Sequence, residues 1–252
     1  MPASNPLFPD IESIAQKLAK MGRKTYVVGS FCVNAIIGRP FSGDVDLTTD
    51  ARPEEIAEVL QIRGEIGKKY GTMIIKEGKF HGEITSFRRD IGSVNYRRPT
   101  HVEFTDSLEE DALRRDFTFN AIYYDVLAKT FVDPTGGRED LRGGKIRFVG
   151  SIRSRLDEDL LRILRYVRLK NKYHLHRAED DYEKILRSRM PELKYIACER
   201  IKQELDRMLL DHFDHSNTNA LQDLKDLGYF QCFVPEIERL SEAPGGPEHH
   251  LE

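Results

Sequence analysis

The spacing of apolar residues changes several times along the chain, and each change predicts an element. Ile11, Ile14, Ala15, Leu18 and Ala19 recur at three- and four-residue intervals, the stripe of an amphipathic helix. Thr25 to Val28 is β-branched and aromatic and predicts a strand; Gly29-Ser30 breaks it, and Val33, Ile36 and Ile37 return to helical spacing. Polar and apolar residues alternate across Asp44-Val45-Asp46-Leu47, as in a strand with one buried face. Ala51-Arg52-Pro53-Glu54-Glu55 starts a helix that runs to about Leu60, with proline at its first position and acids in its first turn. Gly71 to Lys76 and Glu83 to Phe87 predict paired strands about a turn at Gly78. Beyond the turn-rich Asp133-Pro134-Thr135-Gly136-Gly137 the pattern is predominantly helical. Asp157 is a candidate N-cap, Asp159 and Arg162 fall three apart on one predicted helix face, and Ala220 to Phe230 is the last predicted helix.

Two of these places carry candidate chemistry. At Gly29-Ser30 a glycine lets the backbone approach an anion, and the helix that follows presents free N–H groups and the positive end of its dipole. Asp44 and Asp46 share a strand face, where two carboxylates repel each other unless a cation lies between them. Glycine turns and Asp-x-Asp pairs each occur without chemistry, but in this order they point to a metal-bound nucleoside triphosphate.

Composition narrows the setting. Lys and Arg number 39 against 42 Asp and Glu, a net charge of -3, so a nucleic-acid surface must be a local basic face. The three cysteines, Cys32, Cys198 and Cys232, are far apart and form no Cys-x-x-Cys pair. They predict neither a disulfide framework nor a zinc site, and read as small core residues in a reducing compartment. With no apolar run of membrane-spanning length, and with Asp10 and Glu12 where a signal peptide is apolar, a soluble cytoplasmic protein is expected.

The stretch from Thr25 to Thr49 resembles the head of the class II tRNA nucleotidyltransferase and bacterial poly(A) polymerase family, within the polymerase-beta-like superfamily, and the likeness continues to about Glu236. Glu83-Ile84-Thr85-Ser86-Phe87-Arg88 resembles the family strand that carries a glutamate; Glu83 reads equally as a third acid beside the metals or as an edge-strand residue. Arg114-Arg115-Asp116-Phe117-Thr118-Phe119-Asn120-Ala121 resembles the motif that holds ribose and phosphates, which implies that Arg115 and Asp116 bind nucleotide. Glu158-Asp159-Leu160-Leu161-Arg162 resembles the motif that presents a carboxylate and a guanidinium to the base, with Arg165 and Arg168 helping to hold the triphosphate. Cys198 to Leu205 resembles a motif that buttresses that helix.

The resemblance implies an α+β fold: a head of mixed β-sheet with flanking helices at 1–140, then an all-α neck at 141–240. Residues 241–252 read as a linker toward the helical domain that follows in longer relatives. It also implies catalysis by Asp44, Asp46 and Glu83, two Mg²⁺ ions at Asp44 and Asp46, and nucleotide contacts at Gly29, Ser30, Arg115, Asp116, Asp159, Arg162, Arg165 and Arg168. The expected substrates are CTP, ATP and a tRNA or other RNA 3′ end. A mobile basic loop at Arg88, Arg89, Arg97 and Arg98, with Tyr96 for stacking, is expected to help order them. Gly136-Gly137 is expected to serve as a hinge. Lys69-Tyr70-Gly71-Thr72 resembles the Gly-Thr strand of CCA-adding relatives more than the corresponding poly(A) polymerase segment, a resemblance that favours CCA addition, complete or partial, over poly(A) synthesis.

The chain also departs from the family. Val33 stands where a phosphate-binding arginine is expected and Asn34 where an acid is, and the loop before Asp44 is one residue longer. Losing one charged hydrogen bond weakens triphosphate binding by about 1.5–3 kcal/mol unless Arg39 or Lys68-Lys69 compensates. The departures motivate a second reading from another class, a degenerate RNA-binding module without catalysis.

Overall fold

The computed structural model describes residues 6–40, 44–62, 70–92, 100–210 and 216–242. Its centre is β1, Thr25–Val28, all four residues of which are buried. Strand β1 pairs antiparallel with β2, Asp46–Thr49, on one side and with β7, Tyr123–Asp125, on the other. Beyond β2 lie β4, Phe80–Ser86, running parallel to it, and β3, Thr72–Glu77, antiparallel to β4 about the predicted Gly78 turn. Strand β8, Thr130–Val132, closes the other edge, so this mixed sheet has the order β3-β4-β2-β1-β7-β8.

Alternation sorts the two faces of the sheet. Val27 and Leu47 join the main core, where helix α1, Phe8–Ala19, lays down Ile11, Ile14 and Leu18. Tyr26 and Val28 join a second cluster on the opposite face with Phe87, Ala112 and Tyr123. Helix α2, Ser30–Ile37, follows β1 directly, and α3, Pro53–Val59, follows β2. In α3 Glu55 accepts from the Arg52 amide at 2.7 Å, which satisfies a free helix-end donor. Strands β5, Arg88–Ile91, and β6, His101–Phe104, form a separate ribbon leading to helix α4, Leu108–Leu113, which Ser107 caps by accepting from the Glu110 amide.

The remainder is helical: α5, Gly137–Arg142; α6, Ile152–Glu158; α7, Arg162–Lys172; α8, Tyr182–Arg189; α9, Cys198–Leu210; α10, Ser216–Asp226; α11, Tyr229–Phe233; and α12, Pro235–Glu242. One two-residue parallel pair interrupts it, β9, Lys145–Ile146, with β10, His176–Arg177. The last predicted helix divides because Gly228 takes a left-handed conformation, φ +80°, between α10 and α11. Ser241 and Glu242 belong to α12, and the rest of the predicted linker lies outside the described residues. An aromatic column of Phe117, Phe148, Tyr166 and Tyr182 joins the sheet-bearing part to the helices, with Phe148 and Tyr166 stacked at 5.8 Å.

At Gly136-Gly137, where the resemblance implies a hinge, the structure shows a packing requirement for glycine. A Cβ at Gly137 would fall 2.2 Å from the Thr118 carbonyl oxygen, so glycine is required for close packing of α5 against the Thr118–Ala121 turn. Of the cysteines only Cys32 is a core residue, its thiol donating to the Val27 carbonyl at 3.3 Å; Cys198 and Cys232 are exposed.

Candidate active site

The acidic face begins at the first residue of β2. Asp46 pairs with Val28, and with Leu47 buried it turns to the open side of the sheet, the side that carries Val28 and Tyr26; Asp44 lies two residues ahead of the strand, exposed, with the buried Val45 between them. The parallel register Leu47 to Ile84 sets Asp46 beside Glu83 on the neighbouring strand. The carboxyl of Asp46 is held above its ordinary range, first by burial against the sheet, then by the charge of Glu83, with Asp44 adding to it; Arg115 opposes the shift. Glu83 and Asp44 thus add negative charge beside Asp46, with Arg115 as the opposing cation.

The turn before α2 closes on the same point. Gly29 has φ +79°, and a Cβ built there would lie 3.5 Å from Oδ2 of Asp46. No side chain caps α2, and its first turn contains no acid, so the amides that begin at Ser30 are set for an anion next to the carboxylates.

Val33 does not face that anion position. Its side chain is fully buried in the main core, and Asn34 donates back to the Ser30 carbonyl at 2.8 Å. Arg39 is likewise engaged, donating to the Lys172 carbonyl at 2.9 Å, while Lys68 and Lys69 lie outside the described residues. The expected compensation by Arg39 thus meets a guanidinium already used to tie the head to α7.

Arg115 and Asp116 sit at the end of α4 and are strongly partnered. Arg115 donates to Oδ2 of Asp111 and to the Tyr123 hydroxyl, both at 2.9 Å, and lies over the Tyr123 ring. Arg114 binds the other Asp111 oxygen at 2.8 Å. Burial alone would raise the Asp111 carboxyl, but Arg115, Arg114 and the Tyr123 hydroxyl outweigh it and hold it down at about 2. The i, i+3 and i, i+4 spacing of Asp111 to these arginines is visible in the sequence, although the resemblance alone does not single Asp111 out. Asp116 accepts from Asn120 and from the Phe117 amide at 2.9 Å each, and pairs with Arg165 at 2.7 Å.

The second predicted group lies where the helices meet the head. Asp159 and Arg162 do not share a helix face: α6 ends at Glu158, and Asp159 is extended at φ -150° and ψ 104°. Leu160 and Leu161 both enter the core, and Asp159 accepts from the Leu161 amide at 3.1 Å, so this acid starts a new helical segment. Arg200 on α9 grips the Asp159 carboxylate at 3.0 Å, and Glu204, one turn further on, takes Arg168 at 2.6 Å. The Cys198 to Leu205 segment is thereby a buttress, as its sequence implies. Arg162 donates to Glu158 at 2.6 Å and to the Arg114 carbonyl at 3.2 Å, and Arg155 reaches the Leu113 carbonyl at 2.6 Å. Asp157, the candidate N-cap, lies inside α6 and pairs with Arg189; Ser151 holds the cap position.

In the basic segment, Arg88 pairs with Asp90 and donates to the Tyr70 carbonyl, and Arg89 pairs with Glu103. Both lie on β5, whereas Tyr96, Arg97 and Arg98 fall outside the described residues.

Asp44, Asp46 and Glu83 offer only hard oxygen donors, which suit Mg²⁺. Among the described residues no group of three or more His, Cys, Asp and Glu is placed to hold a metal by itself.

A mixed sheet whose central strand opens onto an uncapped helix, with a carboxylate pair at the entry to the neighbouring strand, is the architecture of a nucleotidyltransferase head. The profile of the poly(A) polymerase head domain matches residues 25–147. The CCA-adding enzyme of Geobacillus stearothermophilus is 39% identical over 205 residues, 81% of this chain and 50% of that protein. The crystal structure of Bacillus stearothermophilus CCA-adding enzyme in complex with CTP superposes with a TM-score of 0.78 at 35% identity, covering 89% of this chain and 53% of that one. Thermotoga maritima CCA-adding enzyme complexed with tRNA shares the fold, with a TM-score of 0.73 at 21% identity over 92% of this chain and 53% of that one. The chain belongs to the tRNA nucleotidyltransferase and poly(A) polymerase family and spans about half the length of the curated relatives it matches.

Proposed function

We propose that this chain carries the catalytic head and the base-selecting neck of a tRNA 3′-end nucleotidyltransferase, which adds CMP and AMP from CTP and ATP and releases pyrophosphate. The observation that carries the proposal is the row of Asp44, Asp46 and Glu83 beside the uncapped start of α2 at Gly29 and Ser30. Asp44 and Asp46 are the residues to hold two Mg²⁺ ions, which when bound supply Lewis-acid activation of the RNA 3′ hydroxyl and charge neutralisation at the leaving pyrophosphate. The amides from Ser30 onward bind triphosphate oxygens, and Glu83 orients the hydroxyl from the next strand.

At the seam, Asp116 and Arg115 meet ribose and phosphate, and Arg165 and Arg168 add positive charge. Asp159, oriented by Arg200, accepts from the exocyclic amino group that CTP and ATP share, and Arg162 donates to the ring nitrogen beside it. UTP and GTP place a carbonyl and a ring N–H at those positions, setting acceptor against acceptor and donor against donor. Each mispairing costs about 1–3 kcal/mol. We assign residues 1–140 to the head and 141–240 to the neck. Free cysteines and a tRNA substrate fit a cytoplasmic setting; among the described residues no helix is long and apolar enough to cross a membrane.

The matching poly(A) polymerase profile supports a second reading, oligo(A) synthesis. A Mg²⁺-dependent assay with labelled CTP and ATP on tRNA lacking its 3′ end separates them: products ending in C, CC or CCA are expected. Oligo(A) alone would transfer the chain to the second reading, and no product on any RNA would leave a binding module.

A further inference from the structure

The order of groups across the sheet fixes the side from which an RNA 3′ end must arrive. Gly29 and the amides that open α2 follow β1, Asp46 begins β2, Glu83 lies on β4, and β3 is the edge. In-line transfer keeps the entering and leaving oxygens on opposite sides of the phosphorus. With the triphosphate on the amides beside β1, pyrophosphate departs on that side. The RNA 3′ hydroxyl then enters from the other side, across β4 and β3.

The register of β3 on β4 shows what it meets there. Ile74 is paired directly with Glu83, and Lys76 with His81, one pair nearer the Gly78 turn. Met73 and Ile75 are buried in the main core, so Thr72, Ile74 and Lys76 face the open side with Glu83 and His81. Ile74 is 53% exposed, a large apolar side chain between Lys76 and the threonine pair Thr72 and Thr85, whose hydroxyls are 3.1 Å apart. Lys76 is exposed as well, and the neighbouring carboxylate, Glu77, lies on the other face, accepting from Ser13 at 2.9 Å and from Lys17 at 2.6 Å. Strand geometry sets Ile74 roughly 10 Å from Asp46 and Lys76 roughly 7 Å from Ile74, a spacing that fits one nucleoside and the phosphate on its 5′ side.

We propose that Ile74 and Lys76 form the seat of the RNA 3′ end. The terminal nucleoside packs on the Ile74 side chain with its 3′ hydroxyl toward Glu83 and Asp46, and Lys76 takes the phosphate on its 5′ side. An apolar contact and a phosphate contact make no demand on base identity, which suits an RNA whose last nucleotide changes with each addition. The inference rests on nucleotidyl transfer at Asp44, Asp46 and Glu83.

Kinetics and crosslinking on the whole chain test it. In CMP addition to tRNA lacking its 3′ end, Ile74→Thr and Lys76→Gln are each expected to raise the apparent KM for tRNA about fivefold and to leave that for CTP unchanged, with melts verifying the fold. Threonine keeps a β-branched residue in the strand, and a loss of structure would move both KM values together. Lys76→Gln is also expected to reduce the salt dependence of tRNA binding by about one phosphate contact. Photocrosslinking reads the same contact without catalysis: with Mg²⁺ omitted, tRNA lacking its 3′ end and carrying 4-thiouridine as its last nucleotide is expected to crosslink to β3 or β4. A crosslink mapped elsewhere, no crosslink, or an unchanged KM for tRNA in either variant overturns the proposal. A crosslink to β3 or β4 in a chain that adds no nucleotide keeps the RNA seat and removes the transfer reading instead.

Discussion

At residue 33 the sequence and the structure give different reasons for the same substitution. Aligned by motif, Val33 is a missing phosphate ligand; in the fold it is a core residue of α2, buried with Phe31 and Cys32. Restoring arginine there would bury an unpaired charge, so Val33→Arg is expected to cost about 3–5 kcal/mol of stability and not to tighten nucleotide binding. Urea unfolding of the variant measures this, and a stable variant with a lower KM for CTP would reverse it. Asp46 makes the opposite prediction. Its folded-state pKa is raised above the ordinary 3.8, so its stabilising contribution is present at acid pH and lost as pH rises through the folded value. Asp46→Asn should therefore raise the Tm near pH 7 and change it little at pH 3, as melts across that range would register. The identity of both residues was legible in the sequence; the direction in which α2 turns its fourth residue was not, because three consecutive buried positions on one helical turn blur the periodicity.

At the scale of elements, α4 is held by one buried carboxylate. Asp111 is fully buried between Arg114, Arg115 and the Tyr123 hydroxyl, and removing it leaves two guanidinium groups short of a partner. Asp111→Asn is expected to destabilise by about 3–5 kcal/mol, readable in urea melts at pH 7. With its carboxyl held down at about 2, its contribution is complete above the ordinary 3.8 and disappears as pH falls toward 2, so the difference between wild type and variant should close over that interval. Strand, hairpin and first-helix positions were legible because local pattern and burial agree there, as at Thr25–Val28 and the Gly78 turn. The break between α6 and α7 was hidden, since Leu160 and Leu161 fit a continuous helical pattern and only tertiary packing draws both inward.

Across the whole molecule, head and neck meet through arginines that serve structure first. Arg155, Arg162 and Arg165 reach Leu113, Arg114 and Asp116, and Arg39 returns the contact to α7. Because Asp159 is fixed by Arg200, Asp159→Ala is expected to erode discrimination against UTP and GTP more than it slows CTP addition, as single-turnover misincorporation with each nucleotide separately would reveal. Selectivity left intact with a fallen rate would make the pair structural. The central claim is that the open carboxylate face of the sheet performs nucleotidyl transfer. The most direct measurement is the single-turnover rate of Mg²⁺-dependent CMP addition to tRNA lacking its 3′ end, for wild type and for Asp46→Asn, with folding of both verified by melts. A variant that is folded and at least as stable, yet slower by about a thousandfold or more, is the predicted result; near-normal Mg²⁺-dependent turnover in the variant would contradict it.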